Sequence, residues 1–318
     1  MTLSKRLMPQ IAYASLGLIN GGNMDIRYGI WGDVSSQKNR NKPVLVVLPG
    51  LSEFIEKYAI MITPLLEAGH DAIILDWPSQ GLSGRYLDDR SIIHSPGFDD
   101  HLNALIAVLD AAKVSPERPL ILFGHSMGGH LAFLAANRLR ARVKAMIVSA
   151  PMMLPPLTPP WYIRLKLWVL MRLGYATKPI SGKTDHAHRY RFDADNVLTR
   201  DEEGYQVMPR LWDENKDLKT YDLTYGWLAA AYRSCVKTTA KASWLRQCHV
   251  PVLTHIGGDE RLVSADYQTW ALSLLPQAEV VTYTGARHEL MLELPDVRKA
   301  FWQSSLAFLD RYCGNEAQ

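Results

Sequence analysis

The sequence has 318 residues, of which 47% are hydrophobic and 21% are charged, and its net charge is +3. These values are typical of a globular protein with a sizeable core, built either as one large α/β domain with an insertion or as two small domains. The weak basic charge, without basic runs flanked by aromatic residues, argues against nucleic acid as a partner. It is compatible with loose attraction to an anionic membrane surface.

The N-terminal residues allow two interpretations. Lys5 and Arg6 precede a moderately apolar stretch from Leu7 to Ile19, and Ala12-Tyr13-Ala14 resembles a signal-peptidase site. Pro9 interrupts this apolar stretch, which is atypical of a secretory leader. We therefore favour a protein that is not secreted and keep secretion as the alternative.

The cysteines point to a reducing compartment. They are odd in number and scattered in spacing, at Cys235, Cys248 and Cys313, which favours free thiols over a disulfide framework. No pair has the CxxC spacing of a metal site, and no stretch approaches the roughly 20 apolar residues of a membrane span. We predict a cytoplasmic protein that could associate peripherally with the inner membrane.

From residue 24 onward, short apolar runs alternate with stretches of helical spacing. Residues 24–31 alternate with period two, which indicates an edge strand, whereas the apolar run at 44–48 indicates a strand buried on both faces. Further strands are predicted at 72–75, 120–123, 145–149, 252–256 and 280–283, and helices around 55–68, 99–113, 127–139, 264–275 and 296–312. This alternation predicts an α/β fold with a mostly parallel, doubly wound sheet.

One long block interrupts this alternation. From Pro151 to about Trp244 no apolar run resembles a central strand, and the block opens with prolines at 151, 155, 156, 159 and 160. A block of this length is too long for a loop. We predict a core made of residues 1–150 and 245–318, with residues 151–244 inserted as a helical cap over the sheet.

The sequence Gly124-His125-Ser126-Met127-Gly128-Gly129 lies between a predicted strand and a predicted helix. It contains G-x-S-x-G in the strand–turn–helix context that marks a nucleophile elbow. Side chains at the two glycines would clash with neighbouring backbone in such a tight turn. The helix N-terminus below the serine favours developing negative charge. We predict that Ser126 is a catalytic nucleophile; the alternative is a structural turn.

A serine hydroxyl needs a base to accept its proton, and in this topology the chain order is Ser, then Asp or Glu, then His. Asp259 and His288 each follow one of the last two predicted strands, at the sheet edge where Ser126 lies. We predict His288 as the base and Asp259 as the acid that orients it. Glu260 is the alternative acid, or else a solvated loop carboxylate. His255 lies within a strand, which is typical of a packed core residue.

Acyl transfer to a serine also needs N–H donors for the oxyanion. We predict the backbone N–H groups of Met127, which follows the nucleophile, and of Leu51, in the loop after the strand at 44–48. The alternative for Leu51 is an ordinary strand–helix connection. The loop at 76–85 should lie at the same edge, either as a structural loop or in contact with substrate.

Several motifs of the core occur together in this chain: Pro49-Gly50 with Glu53 and Tyr58, Asp76 with Gln80-Gly81-x-Ser83-Gly84-Arg85, Gly124-His125-Ser126-Met127-Gly128-Gly129, Gly258-Asp259-Glu260-Arg261-x-Val263, and Gly285-Ala286-x-His288-Glu289. Together they resemble the bacterial lysophospholipases, relatives of the monoacylglycerol lipases within the α/β hydrolases. Two motifs in the insertion resemble the lysophospholipase branch: Asn196-Val197-Leu198-Thr199 and Tyr225-Gly226-Trp227-Leu228. Many monoacylglycerol lipases have His-Gly where this chain has Pro49-Gly50, which weakens the transfer of monoacylglycerol specificity.

The resemblance implies a cofactor-free carboxylic ester hydrolase that acts through a Ser-His-Asp triad and an acyl-enzyme on lysophospholipids or monoacylglycerols. The alternatives are a general carboxylesterase or lactonase for small acyl substrates and, less favoured, a non-catalytic binding module.

The insertion contains a stretch that could form an amphipathic helix in contact with lipid. The alternative is that its apolar face packs on the sheet. The residues concerned are Trp161, Ile163, Leu165, Leu167, Trp168, Leu170 and Met171, with Arg164, Lys166 and Arg172 among them.

Overall fold

The computed structural model describes residues 9–18, 22–36, 38–155, 161–181 and 190–313. Lys5 and Arg6 lie outside the described residues, as do the prolines at 156, 159 and 160 and the side chain of Ile163.

The strands of the described residues are β1 (Gln10–Gly17), β2 (Asn23–Trp31), β3 (Val44–Leu48), β4 (Ala72–Leu75), β5 (Ile92–Ile93), β6 (Leu120–His125), β7 (Val143–Ser149), β8 (Asp222–Leu223), β9 (Val252–Gly257) and β10 (Ala278–Tyr283). Eight of them form a central sheet with the order β1-β2-β4-β3-β6-β7-β9-β10, and β5 and β8 form a separate two-stranded sheet. Along the order of the central sheet, the strands from β4 to β10 are parallel, and β1 and β2 pair antiparallel with their neighbours. The predicted α/β fold with a mostly parallel sheet is confirmed.

The prediction of an edge strand at residues 24–31 is wrong. Strand β2 lies second in the sheet, because β1 pairs with its full length from Gln10 opposite Ile30 to Gly17 opposite Asn23. Residues that could be interpreted as part of a leader therefore form the edge strand of the fold.

Helices cover both faces of the sheet. They are α1 (Ile55–Met61), α2 (Thr63–Glu67), α3 (Asp99–Ala111), α4 (Met127–Leu139), α5 (Trp161–Arg172), α6 (Glu202–Tyr205), α7 (Val207–Glu214), α8 (Tyr225–Lys237), α9 (Ala242–Leu245), α10 (Ala265–Leu272) and α11 (Pro295–Cys313). None of the described helices combines the length and the apolar character needed to cross a membrane.

The side chains of β3 show why the sheet is rigid. All five are fully buried; Val46 and its alternating neighbours pack with α3 and α4, whereas Leu45 and Val47 pack with α1 and α11. Burying each such side chain contributes about 1.5–3 kcal/mol. The carboxyl ends of the parallel strands are thereby fixed at one edge of the sheet, where ligands bind in open α/β sheets.

Helices make up much of the described part of the inserted block. Its described residues form α5 to α9 and the short strand β8, which pairs in parallel with β5 of the core. The role of residues 151–244 as a cap stays a prediction.

Among the described residues, helix α5 packs mainly against α8. Its residue Leu167 is buried, whereas Trp161, Leu165 and Trp168 are 75%, 51% and 57% exposed. Most of the apolar surface of this helix therefore faces solvent.

Candidate active site

Ser126 stands in the tight turn between β6 and α4. Its backbone has φ 52° and ψ −116°, a conformation that non-glycine residues rarely adopt and that is often found at functional sites. The turn is held from both sides, since the Ser126 N–H donates to the carbonyl of Ser149 at 2.9 Å and its carbonyl accepts from the N–H of Met152 at 2.9 Å.

Two glycines allow this turn to pack closely. A Cβ atom on Gly128 would lie 1.8 Å from the carbonyl oxygen of Leu48, and one on Gly124 would lie 2.5 Å from the carbonyl oxygen of Gly128. Both distances are far inside van der Waals contact. The steric reason for the flanking glycines is confirmed.

His288 is buried, and its Nδ1 lies 2.8 Å from Oε2 of Glu260. Glu260 is itself anchored, because its Oε1 accepts from the backbone N–H groups of Leu262 at 2.8 Å and Val263 at 3.2 Å. Burial favours the neutral acid, but the hydrogen bond and charge of His288 and the two N–H groups outweigh burial, so the pKa of Glu260 is lowered. A carboxylate in this place fixes the tautomer and orientation of the imidazole.

The prediction that Asp259 holds His288 is wrong in this structure. The side chain of Asp259 is 34% exposed and turns away to form ion pairs with Arg261 at 2.8 Å and Arg287 at 3.4 Å. The hydrogen bond from Arg261 is the main cause that lowers the pKa of Asp259. The acid that contacts the histidine is therefore one residue later in the loop, at the alternative position Glu260.

Two other histidines near the candidate site are kept neutral by burial. The ring of His125 lies 4.9 Å from that of His288 between centroids, and burial lowers the pKa of His125 to about 4. His255 lies within β9 and bonds to Tyr283 and Ser305, and burial lowers its pKa to about 3. The prediction that His255 is a packed core residue is confirmed.

The loop after β3 is fixed by side chains of the neighbouring loop. The indole of Trp77 donates to the carbonyl of Pro49 at 2.8 Å, and the N–H of Ser52 donates to the side chain of Gln80 at 3.0 Å. Within the described part of the chain, the N–H of Leu51 has no protein acceptor. The N–H of Leu51 is therefore available to act as the predicted oxyanion donor.

The loop at 76–85 is a structural support. Asp76 is fully buried and accepts from the N–H groups of Ile55 and Leu82, each at 2.9 Å. None of the residues from 76 to 85 lines the cavity above Ser126.

A cavity of about 400 Å³ opens above the turn. The carboxyl edge of the sheet contributes Ser126 and His288 to its lining, together with Leu51 and Met127. The rest of the lining is mostly apolar and comes largely from the inserted block: Met152, Pro155, Ile180, Leu198, Leu223, Trp227 and Leu228. The cavity therefore brings the predicted nucleophile, base and oxyanion donors to one apolar space.

The inserted segment with Leu198 is tied directly to the loops that carry Glu260 and His288. The N–H of Glu289 donates to the carbonyl of Leu198 at 2.8 Å, and Arg261 forms an ion pair with Asp195 at 2.6 Å. Nothing in the sequence pattern points to Glu289 or Arg261 as such links, because their partners are far away along the chain.

Comparison with known proteins places the chain in a family. A family model described as serine aminopeptidase, S33, matches residues 39–295. The chain belongs to this family. It is 26% identical to lysophospholipase L2 of Escherichia coli (strain K12) over 283 residues, which are 85% of this chain and 81% of that protein. It is 25% identical to phospholipase YtpA of Bacillus subtilis (strain 168) over 282 residues, 86% of this chain and 97% of the relative.

A solved structure with the same fold is that of the monoacylglycerol lipase of Paleococcus ferrophilus. It superimposes with a TM-score of 0.69 at 17% identity and covers 90% of this chain and 99% of its own. The α/β-hydrolase fold is thereby confirmed. The chain is a serine ester hydrolase of the S33 family.

Proposed function

We propose that this enzyme hydrolyses the single ester bond of monoacyl lipids, lysophospholipids above all, with Ser126 as nucleophile, His288 as base and Glu260 as the acid that orients the base. The main support for the proposal is the cavity of about 400 Å³: Ser126 and His288 both line it, and His288 is hydrogen-bonded to Glu260.

In the first step the Oγ of Ser126 attacks the acyl carbon while His288 accepts the hydroxyl proton. The charge that develops on the carbonyl oxygen is bound by the N–H groups of Leu51 and Met127. Glu260 stabilises the imidazolium, which then donates its proton to the departing alcohol. The products of this step are an acyl-enzyme on Ser126 and a free alcohol, which is the deacylated glycerophosphodiester from a lysophospholipid or glycerol from a monoacylglycerol.

In the second step water replaces the alcohol. His288 accepts a proton from the water, the hydroxide attacks the acyl carbon, and the same N–H groups bind the second oxyanion. The proton then returns from His288 to Ser126 Oγ, and a fatty acid leaves. One water is consumed for each ester bond, and no cofactor takes part.

The apolar lining supports a long acyl chain as the bound group. Binding sites of this size with few polar groups favour hydrophobic ligands, because burial of apolar surface contributes about 25 cal/mol per Å². The names of the two bacterial relatives, a lysophospholipase and a phospholipase, support the same substrate class.

We also infer that helix α5 contacts the lipid surface from which the substrate is drawn. Its exposed rings and aliphatic side chains are accompanied by Arg164, Lys166 and Arg172. A helix with exposed aromatic residues and adjacent cations is suited to lie in an anionic membrane interface. The cytoplasmic location stays a prediction.

A panel of substrates tests the proposal. It contains lysophosphatidylcholine, monoacylglycerol and p-nitrophenyl esters of increasing acyl length, each measured with the wild type and with Ser126→Ala. We expect the highest kcat/KM for long acyl chains, and a loss of about 10⁶-fold in Ser126→Ala with unchanged circular dichroism. Highest kcat/KM on acetate esters or lactones would favour a general carboxylesterase instead. Failure of a fluorophosphonate probe to label the wild type would contradict a serine hydrolase.

A further inference from the structure

A lysine is buried directly behind the candidate site. Lys57 lies on α1 and is 0% exposed, and its Nζ lies 2.7 Å from Oε1 of Glu53 and 2.8 Å from Oε1 of Glu289. A buried cation is tolerated only where carboxylates compensate it, and removing one partner leaves an uncompensated buried charge. The two carboxylates raise the pKa of Lys57 despite burial, so the ammonium is charged.

The first of these carboxylates holds the loop of the oxyanion donor. Glu53 Oε2 accepts from the backbone N–H of Gly50 and, at 2.6 Å, from the hydroxyl of Tyr58. Gly50 precedes Leu51, whose N–H is the proposed donor. The position of Glu53 therefore determines where that N–H points.

The second carboxylate holds the loop of the base. Glu289 follows His288 in the chain, and its own N–H donates to the carbonyl of Leu198. Lys57 thus joins two loops that are separated by more than 200 residues in sequence.

A third group fills the space between the two loops. The ring of His125 packs on the His288 ring, and its Cδ2 would lie 3.2 Å from a Cβ atom on Gly50. A displacement of either loop would therefore open a gap beside His125 or press on it.

We propose that Lys57 is a positioning residue for the reaction proposed above: through Glu53 and Glu289 it holds the N–H of Leu51 and the imidazole of His288 at the mutual distance that ester cleavage needs. This inference rests on the proposed function. Lys57 itself does not line the cavity and does not touch the substrate.

The proposal makes a prediction about kcat and KM. Lys57→Met leaves both carboxylates without their cation, and the two loops are no longer tied. A misplacement of catalytic groups by about 1 Å costs about 10²-fold in rate, whereas the apolar lining that binds the acyl chain is unchanged. We expect kcat to fall by about 10²-fold with little change in KM, and Lys57→Arg to restore most of the rate.

A matched control separates positioning from stability. Arg118 is equally buried and pairs with Asp71 at 2.6 Å, but it lies at the amino ends of β6 and β4, at the opposite edge of the sheet. Arg118→Met should lower the melting temperature as Lys57→Met does, and should leave kcat unchanged. If both variants lose kcat alike, if Lys57→Met keeps the wild-type kcat, or if Lys57→Arg is as slow as Lys57→Met, the positioning role is wrong.

A gentler variant keeps the test decisive if Lys57→Met does not fold. Glu289→Gln keeps the shape of the side chain and one hydrogen bond but removes the charge, and we expect kcat to fall by about 10-fold at constant KM. An unchanged kcat in Glu289→Gln overturns the inference. Failure of the proposed function itself would look different, because hydrolysis by the wild type would then be independent of Ser126.

Discussion

The cavity has two walls of opposite character. The core wall, formed at the carboxyl edge of the sheet by Leu51, Ser126 and His288, is supported by buried ionic side chains, each with a hydrogen-bonded partner. The inserted wall, formed by residues such as Leu198 and Trp227, is mostly apolar inside, and helix α5 of the same block exposes aromatic rings to solvent.

This difference separates two tasks. Acyl transfer needs N–H donors, a base and a nucleophile held at fixed positions, and a rigid parallel sheet with paired charges below it provides them. Recognition of an acyl chain needs apolar surface and little directional bonding. We therefore expect changes in the core wall to reduce rate, and changes in the inserted block to alter contact with lipid.

The largest effect should come from the base of the core wall. His288→Ala should lose nearly all activity, about 10⁵–10⁶-fold in kcat, because it removes the group proposed to accept the serine proton. In the wild type kcat/KM should fall as the pH drops, since the base must be neutral. Burial lowers the pKa of His125 to about 4 and that of His255 to about 3, so both stay neutral at neutral and mildly acidic pH.

The matched variants are His125→Gln and His255→Gln, measured as pH profiles on a soluble ester. Both should retain the acid limb of the wild type. If the acid-side fall of kcat/KM disappears in His255→Gln while His288→Ala keeps its activity, the base is misassigned.

The second effect compares two neighbouring carboxylates of the core wall. Glu260→Gln removes the charge at Nδ1 of His288, and we expect a loss of about 10³–10⁴-fold in kcat. Asp259→Asn breaks surface ion pairs with Arg261 and Arg287 and should change kcat by less than about 10-fold. Steady-state kinetics of the two variants measures both losses. A larger loss in Asp259→Asn than in Glu260→Gln would show that Asp259 is the acid.

The smallest effect should come from the inserted block. Leu165→Ser combined with Trp168→Ser removes two exposed apolar side chains of α5, and we expect vesicle binding to weaken by about 10-fold or more. Turnover of a water-soluble short ester should not change. Co-sedimentation with vesicles that contain phosphatidylglycerol measures the binding.

Trp270→Ser is the control for this variant, because Trp270 on α10 is 41% exposed and lies outside the inserted block. It should leave vesicle binding intact. Equal binding by the α5 variant and the wild type would contradict the membrane contact.

Local sequence was sufficient for the parts of the fold that depend on local physics. Continuous apolar runs such as the one at 44–48 predicted buried strands because both of their faces are covered, and the elbow was visible because its glycines are needed for steric reasons within a few residues of Ser126. The edge strand β1 was missed. It alternates between exposed Ile11 and Tyr13 and buried Ala14 and Leu16, but its apolar side chains also fit a leader.

Tertiary structure decided which carboxylate meets His288. Asp259 and Glu260 are adjacent, and both are carboxylates, so the sequence does not distinguish them. The path of the loop after β9 does: the N–H groups of Leu262 and Val263 hold the Glu260 side chain towards His288. Ion pairs with Arg261 and Arg287 hold the Asp259 side chain away from it. The contact of Lys57 with Glu289 is of the same kind, since no local pattern relates residues 232 positions apart. Sequence determines which groups are available at the sheet edge, but their partners are selected by loop geometry and by the need to compensate buried charge, and both arise only once the chain has folded.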